Sequence, residues 1–334
     1  MVGKAKKTES IEKMNLPTFK DVEAAAKRIK GVAVRTPLLC SVELDRATRG
    51  KIFVKPECLQ LTGAFKLRGA FNRLSVLSEE ERKRGVVAFS SGNHGQAVAY
   101  AAKLLGVAAT IVMPRTAPQI KIEKTRAHGA KIVLYDPEKE DREVLARSIA
   151  EKTGEVMAPS YDDPFIIAGQ GTSALEVIRD APKLDAYVVP AGGGGLLAGS
   201  VLAFEELSPE TRLYSAEPET YNDHQKSFSA GNRVRLENPA PTICDALLPL
   251  TPGEMTFAIN RRHVAGGVVV SDKEVKAAMR FAFETLKIVA EPGGAVALAA
   301  VLFRKIDTKG KNIGLIVTGG NVDPVFFAEI LVRN

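Results

Sequence analysis

Lys66 is the residue best suited to covalent chemistry. In LTGAFKLRGA it follows a Thr-Gly turn, stands beside Phe65, and has Gly69 and Ala70 directly behind it. A solvated surface lysine needs no such apolar, glycine-bounded corner. An amine that must lose its proton and bond to carbon does, because desolvation lowers a lysine's pKa. Three other stretches bear polar groups of complementary use. PAGGGGLLAG sets Gly192, Gly193, Gly194 and Gly195 where a helix begins. Bare amides at the positive end of a helix form a nest for a phosphate. FSSGNHGQAVAYAA gathers Ser90, Ser91, Asn93 and His94 at another helix start, which suits a carboxylate. A plain N-cap would account for one of those serines, not for the cluster. IGLIVTGGN places Thr318 at a strand end, where a hydroxyl can hydrogen-bond a ring nitrogen.

These groups need elements to hold them, and apolar runs alternate with amphipathic ones along nearly the whole chain. FKDVEAAAKRIK is amphipathic, with Thr18 as N-cap and Gly31 as stop. KIFVKPE, VVAFS, AATIVMP and AKIVLY predict strands, interleaved with the helical patterns FKLRGAFNRLSVL, GQAVAYAAKLLG, QIKIEKTRAHG and DREVLARSIAEKTG. A second series runs through AYVVP, LLAGSVLAFEEL, TRLYSAE, DKEVKAAMRFAFETLK, GGAVALAAVLFRK, NIGLIV and PVFFAEILV. The strands are apolar throughout, as parallel strands covered on both faces are. Two such series imply an α/β protein with two doubly wound open sheets and a cleft between them. Sites in these folds lie beyond the carboxyl ends of the strands. The irregular connection TYNDHQKSFSAGNRVRLENPAPTICDALLPLTPGEM is expected to be a long functional loop.

Composition narrows the classes. The 334 residues are 45% hydrophobic and carry a formal charge of +7, but Lys and Arg are mixed with acids, as in SEEERKRG, and there is no Trp. A solvated surface is expected, with no nucleic-acid partner; the excess positive charge aids the approach of anionic small molecules. The longest apolar stretch, VVPAGGGGLLAGSVLAF, is broken by glycines, so no membrane partner is expected. MVGKAKKTESIEKM reads as a disordered basic tail and not as a secretory signal. Cys40, Cys58 and Cys244 are odd in number and far apart, which implies free thiols in a reducing cytoplasm. His128, His224 and His263 read as surface or loop residues.

A lysine, a phosphate nest, a carboxylate loop and a hydroxyl for a heterocycle together match pyridoxal 5′-phosphate, which carries an aldehyde, a phosphate and a pyridine nitrogen. Gly193, Gly195 and Ala198 also fit the dinucleotide pattern G-x-G-x-x-A, with Glu217 as the ribose acid. A dinucleotide leaves Lys66 unexplained. TGAFKLRGA, SSGNHGQAVAYAAKL, VVPAGGGGLLAG and TGGNVD closely resemble the serine/threonine dehydratase and serine racemase group of fold type II (tryptophan synthase β-like) pyridoxal-phosphate enzymes, over about residues 18–330. The resemblance implies a large cofactor-binding domain of residues 1–75 and 163–334 and a small mobile α/β domain of residues 76–162. It also implies a homodimer.

By the same resemblance, Lys66 holds the cofactor and moves the substrate α-proton, Phe65 packs by the ring, and Asn93 bonds the ring hydroxyl oxygen. Gly192 to Gly195 bind the phosphate and Thr318 the pyridine nitrogen. Ser90, Ser91, Asn93 and His94 meet the substrate carboxylate, and Ser91 is the second catalytic residue. Arg142 lies in a segment that closes over substrate. Glu217, the Tyr221 carbonyl and Asp223 match a divalent-cation loop for Mg²⁺ or Ca²⁺, remote from the cofactor. A hydroxyl at Thr318 leaves the ring nitrogen largely unprotonated, which favours prompt loss of a β-leaving group. Lys66 is expected to be neutral through burial and cationic surroundings. The expected reaction is dehydration and deamination of L-threonine or L-serine to a 2-oxo acid and ammonia. Serine or aspartate racemisation, hydroxyaspartate dehydration, and a non-catalytic nucleotide-binding protein are the alternatives. Leu61 replaces a lysine of nucleotide-responsive racemases, and Pro249 and Leu250 replace polar substrate-side residues. No C-terminal regulatory domain is expected.

Overall fold

The computed structural model describes residues 14–90, 92–117 and 119–332. The basic tail expected at the N-terminus, up to residue 13, and Ser91 lie outside them.

Helix α1 (Phe19–Arg28) opens where the Asp21 carboxylate accepts the Thr18 amide at 2.8 Å. It is followed by α2 (Val42–Thr48), strand β1 (Lys51–Pro56), α3 (Lys66–Ser75) and α4 (Glu79–Arg84). Strands and helices then alternate as β2 (Val86–Phe89), α5 (Asn93–Leu105), β3 (Ala109–Pro114), α6 (Gln119–Ala127), β4 (Lys131–Tyr135), α7 (Arg142–Thr153) and β5 (Val156–Met157). After α8 (Pro164–Asp180) come β6 (Ala186–Pro190), α9 (Gly195–Leu207), β7 (Arg212–Pro218), α10 (Asp223–Ala230), α11 (Glu254–Asn260) and β8 (Val264–Val270). The chain continues through α12 (Asp272–Phe281), α13 (Pro292–Leu302), β9 (Asn312–Val317) and α14 (Pro324–Val332).

Two wholly parallel sheets result, in the orders β1-β9-β6-β7-β8 and β4-β3-β2-β5. This is the expected pair of α/β sheets. The first strand of the chain, β1, does not join the strands that follow it; it pairs with β9 from Lys51↔Asn312 to Pro56↔Val317. Strand β6 is buried at every position, because β9 and β7 flank it and helices cover both faces. Among the described residues no helix is long and apolar enough to cross a membrane.

Helix α8 has no counterpart in the sequence reading. Its glycines explain both the oversight and the packing. A Cβ at Gly169 would lie 2.6 Å from the Gly69 Cα, and one at Gly171 would lie 2.6 Å from the Gly199 carbonyl oxygen. The missing side chains thus let α3 and α9 approach α8 at backbone distance. Gly69, read as a boundary of the Lys66 corner, serves this helix contact. The long connection after β7 is also not wholly irregular, since it folds into α10.

Candidate active site

The carboxyl ends of β2, β6 and β9 and the start of α3 converge on one place. The turn after β9 is joined to the segment before Lys66. The Gly320 amide donates to the Gly63 oxygen at 2.9 Å, and the Phe65 amide to the Thr318 oxygen at 3.1 Å. The Asn321 Nδ2 donates to the Thr62 oxygen at 2.7 Å. Thr62 takes φ +64°, a left-handed conformation that a β-branched residue adopts only when its surroundings enforce it. This clasp presents Lys66 as the first residue of α3, beside Thr318. The Thr318 side chain is buried.

The Lys66 Nζ donates to the Ser160 carbonyl at 3.0 Å and lies 5.1 Å from the centroid of the Phe65 ring. Burial lowers its pKa to about 8, against the opposing pull of the Glu291 carboxylate. The cationic surroundings expected from the sequence are therefore not what depresses this amine. Desolvation does so alone, and the charge acting on it is an anion.

The tetraglycine bend is held from behind. The His224 Nε2 donates to the Gly192 oxygen at 2.8 Å, the Thr256 Oγ1 to the Gly193 oxygen at 2.7 Å, and the Asn260 Nδ2 to the Gly194 oxygen at 3.4 Å. A planar trans peptide that aims its oxygen one way aims the following N–H the other. The amides of the bend accordingly face away from α10 and α11, and among the described residues nothing accepts from them. Gly194 needs φ +92°, and α9 starts at Gly195 without a side-chain cap. A Cβ at Gly193 would sit 2.1 Å from the Tyr161 ring. Since Ser160 holds the Lys66 amine and Tyr161 covers Gly193, adjacent residues join the lysine to the bend. His224, expected on the surface or in a loop, is fully buried; burial lowers its pKa to about 4, which keeps it a neutral buttress.

In the loop after β2, the Ser90 Oγ accepts the Gly92 amide at 3.1 Å. His94 is buried, with Nε2 on the Ala158 oxygen at 2.8 Å and Nδ1 without a partner among the described residues. Burial, aided by Lys66, lowers its pKa to about 3, so the ring offers the site an acceptor and no second donor. The Asn93 Nδ2 donates to the Glu291 Oε1 at 2.6 Å, while its Oδ1 accepts from the Asn321 Nδ2 at 2.8 Å. Glu291 was missed in the sequence. It is buried, and burial first, then Asp245, raises its carboxyl to about 7. A signal was present, because Glu291 is the sole charged residue between Lys287 and Arg304.

Arg142, exposed at the start of α7, stacks on Phe89 at 5.6 Å, directly before Ser90. Glu217 and Asp223 are drawn together at the end of β7, both buried. The Glu217 Oε1 and Oε2 accept the His224 and Gln225 amides, each at 2.8 Å, so this acid caps α10. Burial and the neighbouring Asp223 push Glu217 well up, and burial pushes Asp223 to about 7. Among the described residues the Asp223 Oδ2 and the Thr220 Oγ1 are buried without partners, which fits a hard cation. Tyr221 lies in the turn between them. This loop is not remote from the bend, since His224 follows Asp223 directly and touches Gly192.

A parallel α/β scaffold that brings a desolvated lysine to an uncovered anion nest at a helix start defines an enzyme for a phosphorylated carbonyl cofactor. The chain belongs to the pyridoxal-phosphate dependent enzyme family, whose model matches residues 29–319. It is 48% identical over 318 residues to an L-threo-3-hydroxyaspartate ammonia-lyase of Pseudomonas sp, covering 95% of this chain and 99% of the relative. It is 44% identical over 306 residues to an L-threonine ammonia-lyase of Thermotoga maritima, covering 92% of this chain and 76% of the relative. The solved structure of maize serine racemase superimposes with a TM-score of 0.89 at 38% identity, covering 94% of this chain and 96% of that one. The fold is that of a fold type II pyridoxal-phosphate enzyme.

Proposed function

We propose that the protein is a pyridoxal-phosphate-dependent ammonia-lyase that converts a β-hydroxy amino acid, such as L-threonine or L-serine, to a 2-oxo acid and ammonia. One observation carries this reading: the depressed-pKa amine of Lys66 stands beside the unpaired amides of Gly192 to Gly195, joined through Ser160 and Tyr161. Pyridoxal phosphate, held by those groups, supplies the electron sink for charge developing at the substrate α-carbon. The bend takes the phosphate, the Thr318 hydroxyl the ring nitrogen, the Asn93 amide the ring hydroxyl oxygen, and Phe65 packs beside the ring. Ser90, Asn93 and the start of α5 receive the substrate carboxylate, with His94 fixing the loop from below and Arg142 at its edge. Lys66 Nζ accepts the α-proton, a task suited to an amine with pKa near 8. Ser91, adjacent in sequence, keeps the second catalytic role. Loss of the β-hydroxyl yields an enamino acid, which takes up water and releases ammonia.

The similarity to a serine racemase supports a second reading, in which the α-proton returns on the opposite face. L-Threonine, L-serine and L-threo-3-hydroxyaspartate are the substrates to compare. Equal amounts of 2-oxo acid and ammonia are expected from at least one. Inverted amino acid without ammonia, seen by chiral chromatography, would move the assignment to the racemase, and silence on all three would sink both.

Glu217, Asp223 and the Tyr221 carbonyl would hold Mg²⁺ or Ca²⁺, whose charge relieves two buried acids and steadies His224 behind the bend. Calcium or magnesium is expected to raise the melting temperature by several degrees, and Asp223→Asn to abolish the increase. An identical increase in that variant would disprove the site. The reading extends to a homodimer and to the cytoplasm, where three unpaired thiols are stable. It also takes residues 76–162 as the small mobile domain and residues 1–75 with 163–334 as the large one. The four-stranded sheet, confined to Val86–Met157, supports that division.

A further inference from the structure

An ion pair joins the two halves of the molecule within electrostatic reach of Glu291. The Lys121 Nζ on α6 lies 3.0 Å from the Asp245 Oδ2, in the connection between α10 and α11. Ile122, next to the lysine, is buried in the core under the four-stranded sheet. Asp245 sits on a firm turn of the other half. Its neighbour Cys244 is buried in the main core, and the Thr242 Oγ1 and the Ile243 amide are tied to Asp272 at 2.6 and 3.1 Å. Residues 246 and 247 press on the site itself. A Cβ at Gly192 would meet the Ala246 oxygen at 3.5 Å, and one at Gly293, two residues after Glu291, would meet the Ala246 Cβ at 3.1 Å. Both Lys121 and Asp245 act electrostatically on the Glu291 carboxyl.

The two partners are unequal. The Lys121 side chain is 20% exposed and that of Asp245 59%. An ion pair with so open a partner contributes little to stability, as surface pairs do. A recessed cation facing an exposed, exchangeable carboxylate is poorly explained as a latch. It is well explained as a receptor for a second carboxylate. Lys66 is committed to the cofactor, so it cannot serve that purpose.

We propose that Lys121 is the specificity-determining cation that receives the second carboxylate of a β-hydroxy dicarboxylic amino acid, with Asp245 occupying its place until substrate arrives. This rests on the lyase reading, and it names the substrate class of that same site. The relative named an L-threo-3-hydroxyaspartate ammonia-lyase makes that compound the natural probe.

The test compares kcat/KM for L-threo-3-hydroxyaspartate and for L-threonine in the holoenzyme, Lys121→Met and Lys121→Arg. The ratio of the two is expected to fall about 10- to 100-fold in Lys121→Met, the range for one charge-assisted contact, and less in Lys121→Arg. A ratio within twofold of wild type, or a parallel loss on both substrates, overturns the assignment. A second arm does not depend on turnover. Succinate, with two carboxylates and no amine or hydroxyl, is titrated calorimetrically. It should bind wild type at least about tenfold more tightly than Lys121→Met, and Asp245→Asn should tighten it further. Equal affinities in wild type and Lys121→Met also overturn the assignment. If wild type releases ammonia from no β-hydroxy amino acid but succinate binding still depends on Lys121, the lyase reading falls and the carboxylate site stands.

Discussion

Lys66→Ala is expected to lower turnover by about 10³-fold or more and to remove covalent cofactor capture, while leaving the protein folded. The fold should survive because among the described residues the side chain makes one hydrogen bond, to the Ser160 carbonyl, and burial already disfavours its charged form. Borohydride reduction in the presence of pyridoxal phosphate should leave a phosphopyridoxyl group, the aldehyde oxygen having left as water, on the wild-type peptide containing Lys66, and nothing there in the variant. The pH profile of capture gives a sharper reading. With a pKa near 8, the neutral amine grows about tenfold per pH unit below that value and then levels. Wild-type capture should therefore rise from pH 6 and flatten by about pH 9. A rate still climbing at pH 10 would mean a solvated lysine near the ordinary 10.4, and would sever the link between burial and chemistry.

What could be read in the sequence and what could not divide along a physical line. Each strand-to-loop-to-helix junction was legible, because it is written in consecutive residues: VVPAGGGG is an apolar run followed by bare backbone, and FSSGNH an apolar run followed by hydroxyls and an amide. The residues that hold these junctions lie far off in sequence. His224 and Thr256 support the bend from 32 and 63 residues away. Glu291 reaches Asn93 across 198. Single polar residues of this kind have no local pattern, and only the sheet order brings them together.

Helix α8 illustrates the same division. PFIIAGQGTSALEVIRD contains two glycines and several β-branched residues, which lower intrinsic helix propensity. Only the capping signal was local, since Asp163 accepts the amides of Phe165 and Ile166 at 2.9 Å and Pro164 takes the first turn. Tertiary packing supplies the remainder. The glycines that weaken the isolated helix are the ones that admit the backbones of α3 and α9. The position of Lys66 is thus set by a helix whose sequence hardly announces itself.

Arg68→Met is expected to destabilise the protein by about 3–5 kcal/mol and to damage the site from a distance. Arg68 is fully buried, two residues beyond Lys66 on α3. Its Nε and Nη2 each donate to Glu57 at 2.8 Å, and its Nη1 and Nη2 to Glu176 at 2.7 and 2.9 Å. Lys55, also fully buried, completes the cluster through Glu176 at 2.6 Å. Two cations and two anions balance, and β1, α3 and α8 meet on them. Burial pushes the Glu57 carboxyl up, but Arg68, with help from Thr36 and Lys55, outweighs it and holds the group below its usual range. Removing the guanidinium leaves that carboxylate buried with no strong partner, and α3 loses the anchor that sets its first turn. Urea denaturation should show the lost stability, and borohydride labelling of Lys66 should slow in the folded variant. Pairing Arg68→Met with Glu57→Leu should recover a good part of the stability, because an apolar replacement removes the orphaned charge. Additive losses in the double variant would mean that Arg68 contributes packing volume and not charge compensation. In that case the four-charge cluster would not be what fixes the register of the helix bearing the reactive amine.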